Sequence, residues 1–172
     1  MYTPLAFPRA RGLRGLPDAL IEAHLRLYAG YVRAANALVD APPEARRRLA
    51  FEIDGMRLHE LYFEQLSPAG DAPAPYDGWR EEFAAMGRLR GVGWVLTSQD
   101  PETGRLVTHW VDQHHDGHLA GFAPIVVMDL WEHAYTGMER AAYVDAFLAN
   151  LDGAVIARRI TAAGAGGGRR PA

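Results

Sequence analysis

The segment LPDALIEAHLRLYAGYVRAANALVD places Leu20, His24, Leu27, Tyr28, Tyr31 and Ala35 at the three- and four-residue spacing of a single helix face. Asp18, directly after Pro17, has the chemistry of a helix N-cap. APP at 41–43 interrupts the pattern, and a second helix is predicted from about Pro43 to Leu66, with acidic Glu44 near its start. Met56, His59, Phe63 and Leu66 share one face of that helix. SPAGDAPAPYDG then breaks the chain and marks the best domain boundary. Residues 1–70 are therefore expected to form an N-terminal antiparallel helical hairpin domain.

The second half mixes periods. YDGWREEFAAMGRLRG reads as a helix, whereas GWVLTS and LVTHWVD read as strands joined by the turn chemistry of DPETG. FAPIVVMD is a buried third strand, and AAYVDAFLANL and AVIARRI are short helices. The predicted fold class is α+β, with the hairpin packed on a C-terminal α/β domain (71–164) that carries a three-stranded antiparallel sheet. The Gly-rich segment 165–172 is expected to be a disordered tail.

Composition narrows the function. The 172 residues are 49% hydrophobic, enough for a packed core. A net charge of -3 gives no basic face for nucleic acid. The chain has no cysteine, so neither a disulfide nor a thiolate site arises. No membrane span and no signal peptide are expected, which makes a soluble cytoplasmic protein the default.

Seven histidines carry the candidate chemistry. His24 and His59 lie on the apolar stripes of the two helices, and His133 follows Asp129 by four residues just beyond the most apolar strand. The other four sit in THWVDQHHDGH. Each has a plain structural reading: a hydrogen-bonded core histidine, a local Asp–His contact, a solvated turn. RRR at 46–48 likewise reads as a solvated helix face. The competing reading takes them together. Two antiparallel helices can aim one imidazole each at a common point, and Asp129 with His133 would complete a set of three nitrogens and one oxygen suited to Fe, Mn or Zn. A metal would also offset the cost of burying Asp129.

DLWEHAY followed by YVDAFLANL resembles the C-terminal signature of the iron/manganese superoxide dismutase family. HLRLYAGYVRAAN, LHELYFEQLSP and GVGWVL resemble that family's first-helix, second-helix and strand motifs, in the same order and over nearly the whole chain. The resemblance implies a superoxide dismutase that converts superoxide to dioxygen and hydrogen peroxide at one Fe or Mn centre per subunit. Zn is excluded because the reaction needs a metal that changes oxidation state. The alternative is a dismutase-like metal-binding or structural protein without the activity. A metal-dependent hydrolase is a third reading.

By the resemblance, His24, His59, Asp129 and His133 are the metal ligands, Tyr31 stands at the substrate gateway, and Trp94 and Trp131 line the cavity. Glu132 would reach His133 of a second subunit, giving a homodimer, with a homotetramer as the alternative. Several positions depart from the pattern. The spacing from His24 to Tyr31 is one residue short, Tyr28 replaces a second histidine, and Thr136 replaces a tyrosine. Gly55 stands where some iron enzymes place a glutamine. The residue that hydrogen-bonds the solvent ligand must then come from DQHHDG, with His114 favoured over Gln113. Val127, where manganese members tend to carry glycine, favours Fe over Mn.

Overall fold

The computed structural model describes residues 1–166. Helix α1 (Asp18–Leu38) and helix α2 (Arg46–Glu64) pack as an antiparallel pair, joined through a 3-10 turn at Pro43–Ala45. Helix α3 (Trp79–Gly87) leads into strands β1 (Trp94–Gln99), β2 (Leu106–Val111) and β3 (Ala123–Asp129). Helices α4 (Arg140–Ala149) and α5 (Gly153–Gly166) close the fold. Residues 165 and 166, expected in the tail, belong to α5, while 167–172 lie outside the described residues. Among the described residues no helix is long and apolar enough to cross a membrane.

The sheet is antiparallel throughout, in the order β2-β1-β3. The central strand β1 is paired on both edges and buried along its whole length, its polar Thr97, Ser98 and Gln99 included. Its register sets Trp94 opposite Asp129 on one side and Val111 on the other. The ends of β1 and β3 therefore meet where β3 gives way to DLWEHAY. DPETG forms the predicted turn, with Asp100 N–H donating to Arg105 O and Gly104 N–H to Asp100 O.

Two local expectations change. Asp18 does not cap α1: extended Pro17 occupies the cap position, and Asp18 is the first helical residue. Its Oδ1 instead accepts the Gly12 N–H at 2.8 Å, which ties down the incoming chain. The carboxylate still favours the positive end of the helix. The buried stripe of α1 is Ile21, His24, Tyr28, Val32 and Ala35, while Leu27 is exposed. His24 and Tyr28 hold the centre of the stripe, and Leu27 falls to its side. The expected face of Met56, His59, Phe63 and Leu66 is fully buried, although α2 ends at Glu64 and Leu66 lies just beyond it, in an antiparallel bridge with Leu151.

A polar clamp joins the two halves inside the core. Gln65, at the end of α2, accepts the Val127 N–H at 3.1 Å and donates its amide to Val127 O, as a neighbouring strand would. Arg159 of α5 donates to Ile125 O at 2.9 Å and Leu61 O at 2.7 Å, so that both β3 and α2 are held from a third side. Every buried polar group in this clamp that lacks a partner would cost about 1–3 kcal/mol. The clamp sits six residues past His59 and two before Asp129, and so fixes the helix relative to the strand.

Candidate metal centre

His24 projects from the middle of α1 and His59 from the buried face of α2. Asp129 ends β3, and His133 lies in the 3-10 turn Glu132–Ala134 that follows. Trp131 N–H donates to Asp129 Oδ1 at 2.8 Å, turning the chain sharply after the strand. Tyr143 Oη donates to the Asp129 carbonyl at 2.7 Å and anchors the strand end to α4. The second oxygen of Asp129 is left facing the histidines.

Three imidazoles converge on that oxygen. Asp129 Oδ2 lies 3.1 Å from His24 Nε2, 3.1 Å from His133 Nε2 and 3.5 Å from His59 Nε2. The four ligand atoms all lie within 4.8 Å of one another, the only such group among the described residues. Side-chain exposure is 0% for His24, His59 and Asp129 and 26% for His133.

The hydrogen bonds determine which nitrogens face inward. His59 Nδ1 lies 2.6 Å from Gly55 O, which can only accept, so Nδ1 carries the proton and Nε2 presents its lone pair. That Nε2 is buried and has no hydrogen-bond partner. An unpartnered lone pair pointing at a carboxylate oxygen costs energy unless a cation lies between them. The donor set fits a first-row metal with mixed nitrogen and oxygen ligands.

The electrostatics agree. Burial pulls His24 below the ordinary histidine value and His59 well below it, so both rings are neutral, the form that ligates metals. Burial alone would raise the Asp129 carboxyl, but hydrogen bonds from His133 and His24 outweigh it and hold the acid well below the usual carboxylate range.

Behind His59 lies a second layer. Trp94 donates its indole N–H to His114 Nδ1 at 3.0 Å, and His114 Nε2 lies 2.7 Å from Tyr31 Oη. Since Nδ1 accepts, the ring proton of neutral His114 is on Nε2 and points at the phenol. Tyr31 and His59 rings are 5.0 Å apart, and His114 packs 5.2 Å from Trp131. Helix α1 runs without interruption from His24 to Tyr31, so the short spacing still sets both on one side.

Of the four histidines in the 109–118 segment, His114 alone enters the interior. His115 and His118 are exposed, as a solvated turn requires, and His118 Nε2 donates to His114 O at 2.7 Å. His109 bonds Ser98 Oγ at 3.0 Å. Gln113 is not at the centre: it is exposed, pairs through its backbone with Asp116, and lines a surface depression with Arg48 and Phe51. In the turn at residues 113–116 His114 is buried while Gln113 and His115 are exposed, so of the pair only His114 faces inward.

Gly55 is a packing position that its sequence motif left unexplained. A Cβ there would lie 2.8 Å from Tyr31 Cδ1 and 2.9 Å from His114 Cδ2. The missing side chain on α2 makes the space that His114 fills. A glycine in mid-helix costs about 1 kcal/mol against alanine, which was the available signal that packing required it. Tyr28, in place of the expected histidine, turns to the N-terminal segment, accepting Leu5 N–H at 2.9 Å and bonding Glu60 Oε1 at 3.1 Å. Thr136 Oγ1 donates to Glu132 O at 3.0 Å within its own turn.

Comparison with known proteins agrees with this geometry. Residues 74–159 match the family described as iron/manganese superoxide dismutases, C-terminal domain. The superoxide dismutase [Fe] of Cupriavidus metallidurans is 34% identical, over 88% of this chain and 91% of that protein. Superoxide dismutase [Mn] 1 of Halobacterium salinarum is 36% identical over 57% of this chain and 56% of its own length. The superoxide dismutase [Fe] of Aquifex aeolicus is 27% identical over 88% of this chain and 87% of its own. With the fold, the four converging ligands and these relatives in agreement, the chain belongs to the iron/manganese superoxide dismutase family.

Proposed function

We propose that this chain is a superoxide dismutase, in which His24, His59, Asp129 and His133 hold one Fe or Mn ion. The observation that carries the reading is the convergence of three imidazole Nε2 atoms on one buried carboxylate oxygen, with the His59 lone pair otherwise unpartnered. Two superoxide anions and two protons give one dioxygen and one hydrogen peroxide. A bound Fe or Mn supplies the one-electron couple between trivalent and divalent states that Zn lacks.

The chain's own residues set the rest. Asp129 brings a permanent negative charge to the ligand set, and an imidazole that ligates through its lone pair brings none, so a cationic centre keeps a net attraction for an anion. Tyr31, pushed up to about 12 chiefly by burial, stays protonated at neutral pH. His114, pulled down to about 4 chiefly by burial, stays neutral. His114 Nε2–H donates to Tyr31 Oη, which leaves the phenol proton free to point into the cavity. The pair therefore offers a proton without presenting a charge. Trp94 holds His114 in the tautomer that makes this possible. We take His114, rather than Gln113, as the residue that serves the solvent ligand, and because both of its ring nitrogens are already bonded it acts through the free phenol proton of Tyr31.

Fe is the favoured metal. Val127, two residues before Asp129, is fully buried and bulky where manganese members tend to carry glycine. Relatives that match 88% of the chain are named as iron enzymes, whereas manganese enzymes match 68% and 73% of it. The exposed Glu132 carboxylate pairs with no group among the described residues, which supports a homodimer in which it meets the partner's His133. A cytoplasmic location completes the reading.

The test is reconstitution of metal-free protein with Fe, Mn or Zn, followed by superoxide consumption per bound ion. Fe protein is expected to be active and Zn protein inactive. Stoichiometric Fe and Mn forms that both leave superoxide decay unchanged would favour the non-enzymatic alternative.

A further inference from the structure

The function described so far makes no use of the three arginines that open α2. Arg46, Arg47 and Arg48 lie at the positive end of a 19-residue helix, on a chain whose net charge is -3. A negatively charged protein repels an anionic substrate at long range, so a local reversal of sign near the route inward has consequences for the rate.

Arg48 is the member of the three that is fixed in place. Its guanidinium carbon lies 4.1 Å over the Phe51 ring, and its Nε is 2.6 Å from Glu52 Oε1. The Phe51 ring in turn packs 4.4 Å from His114 and 6.3 Å from Tyr31. Phe51 is thus the outer cover of the Tyr31–His114 pair, and Arg48 is laid across it. A surface depression of about 420 Å³ opens here, lined by Glu44, Arg47, Arg48, Phe51, Gln113 and His115.

Two carboxylates oppose the arginines. Glu44 is exposed, whereas the Glu52 side chain is 8% exposed beneath an Arg48 side chain that is 61% exposed. The Arg48–Glu52 pair is therefore neutral as a whole but presents its positive end outward. Arg47 adds a further charge to the same depression. The charge on Arg48 also acts on both Tyr31 and His114.

We propose that Arg48, held over Phe51 by Glu52, is a steering residue that draws superoxide to the Tyr31–His114 entrance. The proposal rests on reading that pair as the entrance. It gives the RRR motif a task beyond that of a solvated helix face, and it uses no residue from the metal shell.

The test compares Arg48→Gln, Arg48→Lys and Tyr31→Phe with the wild-type metal-loaded enzyme. Two readouts are taken across a range of salt: superoxide consumption, and azide affinity by absorbance titration of the oxidised enzyme. At low salt Arg48→Gln is expected to lose about threefold or more in kcat/KM and to bind azide correspondingly more weakly, with both differences closing as salt rises. Arg48→Lys retains most of each. Rates and azide affinities for Arg48→Gln that equal the wild type at every salt concentration would overturn the proposal. So would an Arg48→Lys loss as large as that of Arg48→Gln, because the role would then lie in packing rather than charge. If Tyr31→Phe alters both readouts while Arg48→Gln alters neither, the steering inference alone fails. If Tyr31→Phe also alters neither, the entrance reading fails with it.

Discussion

Trp94 donates its indole N–H to His114 Nδ1 at 3.0 Å, and both residues are completely buried. One hydrogen bond from the first residue of β1 thereby decides which nitrogen of His114 carries the proton offered to Tyr31.

Trp94→Phe removes that donor while keeping an aromatic ring. The buried Nδ1 is left unpartnered, at a cost of about 1–3 kcal/mol. The tautomer is no longer imposed, so superoxide consumption per bound metal should fall roughly tenfold, as for other groups that orient a metal shell from behind. Melting curves and metal-normalised rates check both effects.

Gly55→Ala probes the space that His114 occupies. The new Cβ would meet Tyr31 and His114 at 2.8 and 2.9 Å, closer than carbon atoms tolerate. Better helix propensity works against the loss, but overpacking costs about 1–3 kcal/mol and displaces the Tyr31–His114 contact. The variant should bind metal through its unchanged ligands, melt earlier and turn over more slowly. A Gly55→Ala enzyme of wild-type rate would show that the contact is dispensable.

Tyr31 should hold its proton to about pH 12, with burial as the main cause. Tyr28 is also raised to about 12, so the wild-type titration alone does not separate them. The difference in tyrosinate absorbance between wild type and Tyr31→Phe isolates the step. A step near 12 is expected, whereas one near the ordinary phenol value of about 10 would place Tyr31 in water.

Metal-free protein should weaken in mild acid. Burial holds His24, His59 and His114 below the unfolded-chain value of 6.5, His114 at about 4. Below 6.5 the unfolded chain binds more protons than the folded one, so their contribution is complete above that pH and is lost as pH falls towards the folded values. Asp129, whose folded value is depressed, acts in the same direction only below its unfolded value of 3.8. His114 alone amounts to about 3 kcal/mol by pH 4. Urea melts of metal-free protein between pH 7.5 and 4.5 measure the slope, and a flat profile would contradict it.

The ligand residues were legible because each sits at a position that physical chemistry makes conspicuous. His24 and His59 are polar residues on apolar stripes, and Asp129 is a charge at the end of a buried strand. The strands were legible from alternation and turn chemistry. Less was legible where neighbours far along the chain decide the outcome. Asp18 looked like a cap, but extended Pro17 takes that position and the carboxylate serves Gly12 instead. The choice between His114 and Gln113 depends on a turn that leaves only His114 buried, and on the space that Gly55, lacking a side chain, leaves for it. Gln65 completing the edge of β3 has no local signature at all, since its partner Val127 lies 62 residues away.

The decisive measurement is the position of the metal itself, from anomalous diffraction at the metal edge on crystals of the Fe-loaded or Mn-loaded protein. One peak per chain is expected, roughly 2.0–2.2 Å from His24 Nε2, His59 Nε2, His133 Nε2 and an Asp129 carboxylate oxygen. A fully loaded protein whose peak lies instead among His109, His115 and His118, with His24, His59, Asp129 and His133 bare, would contradict it.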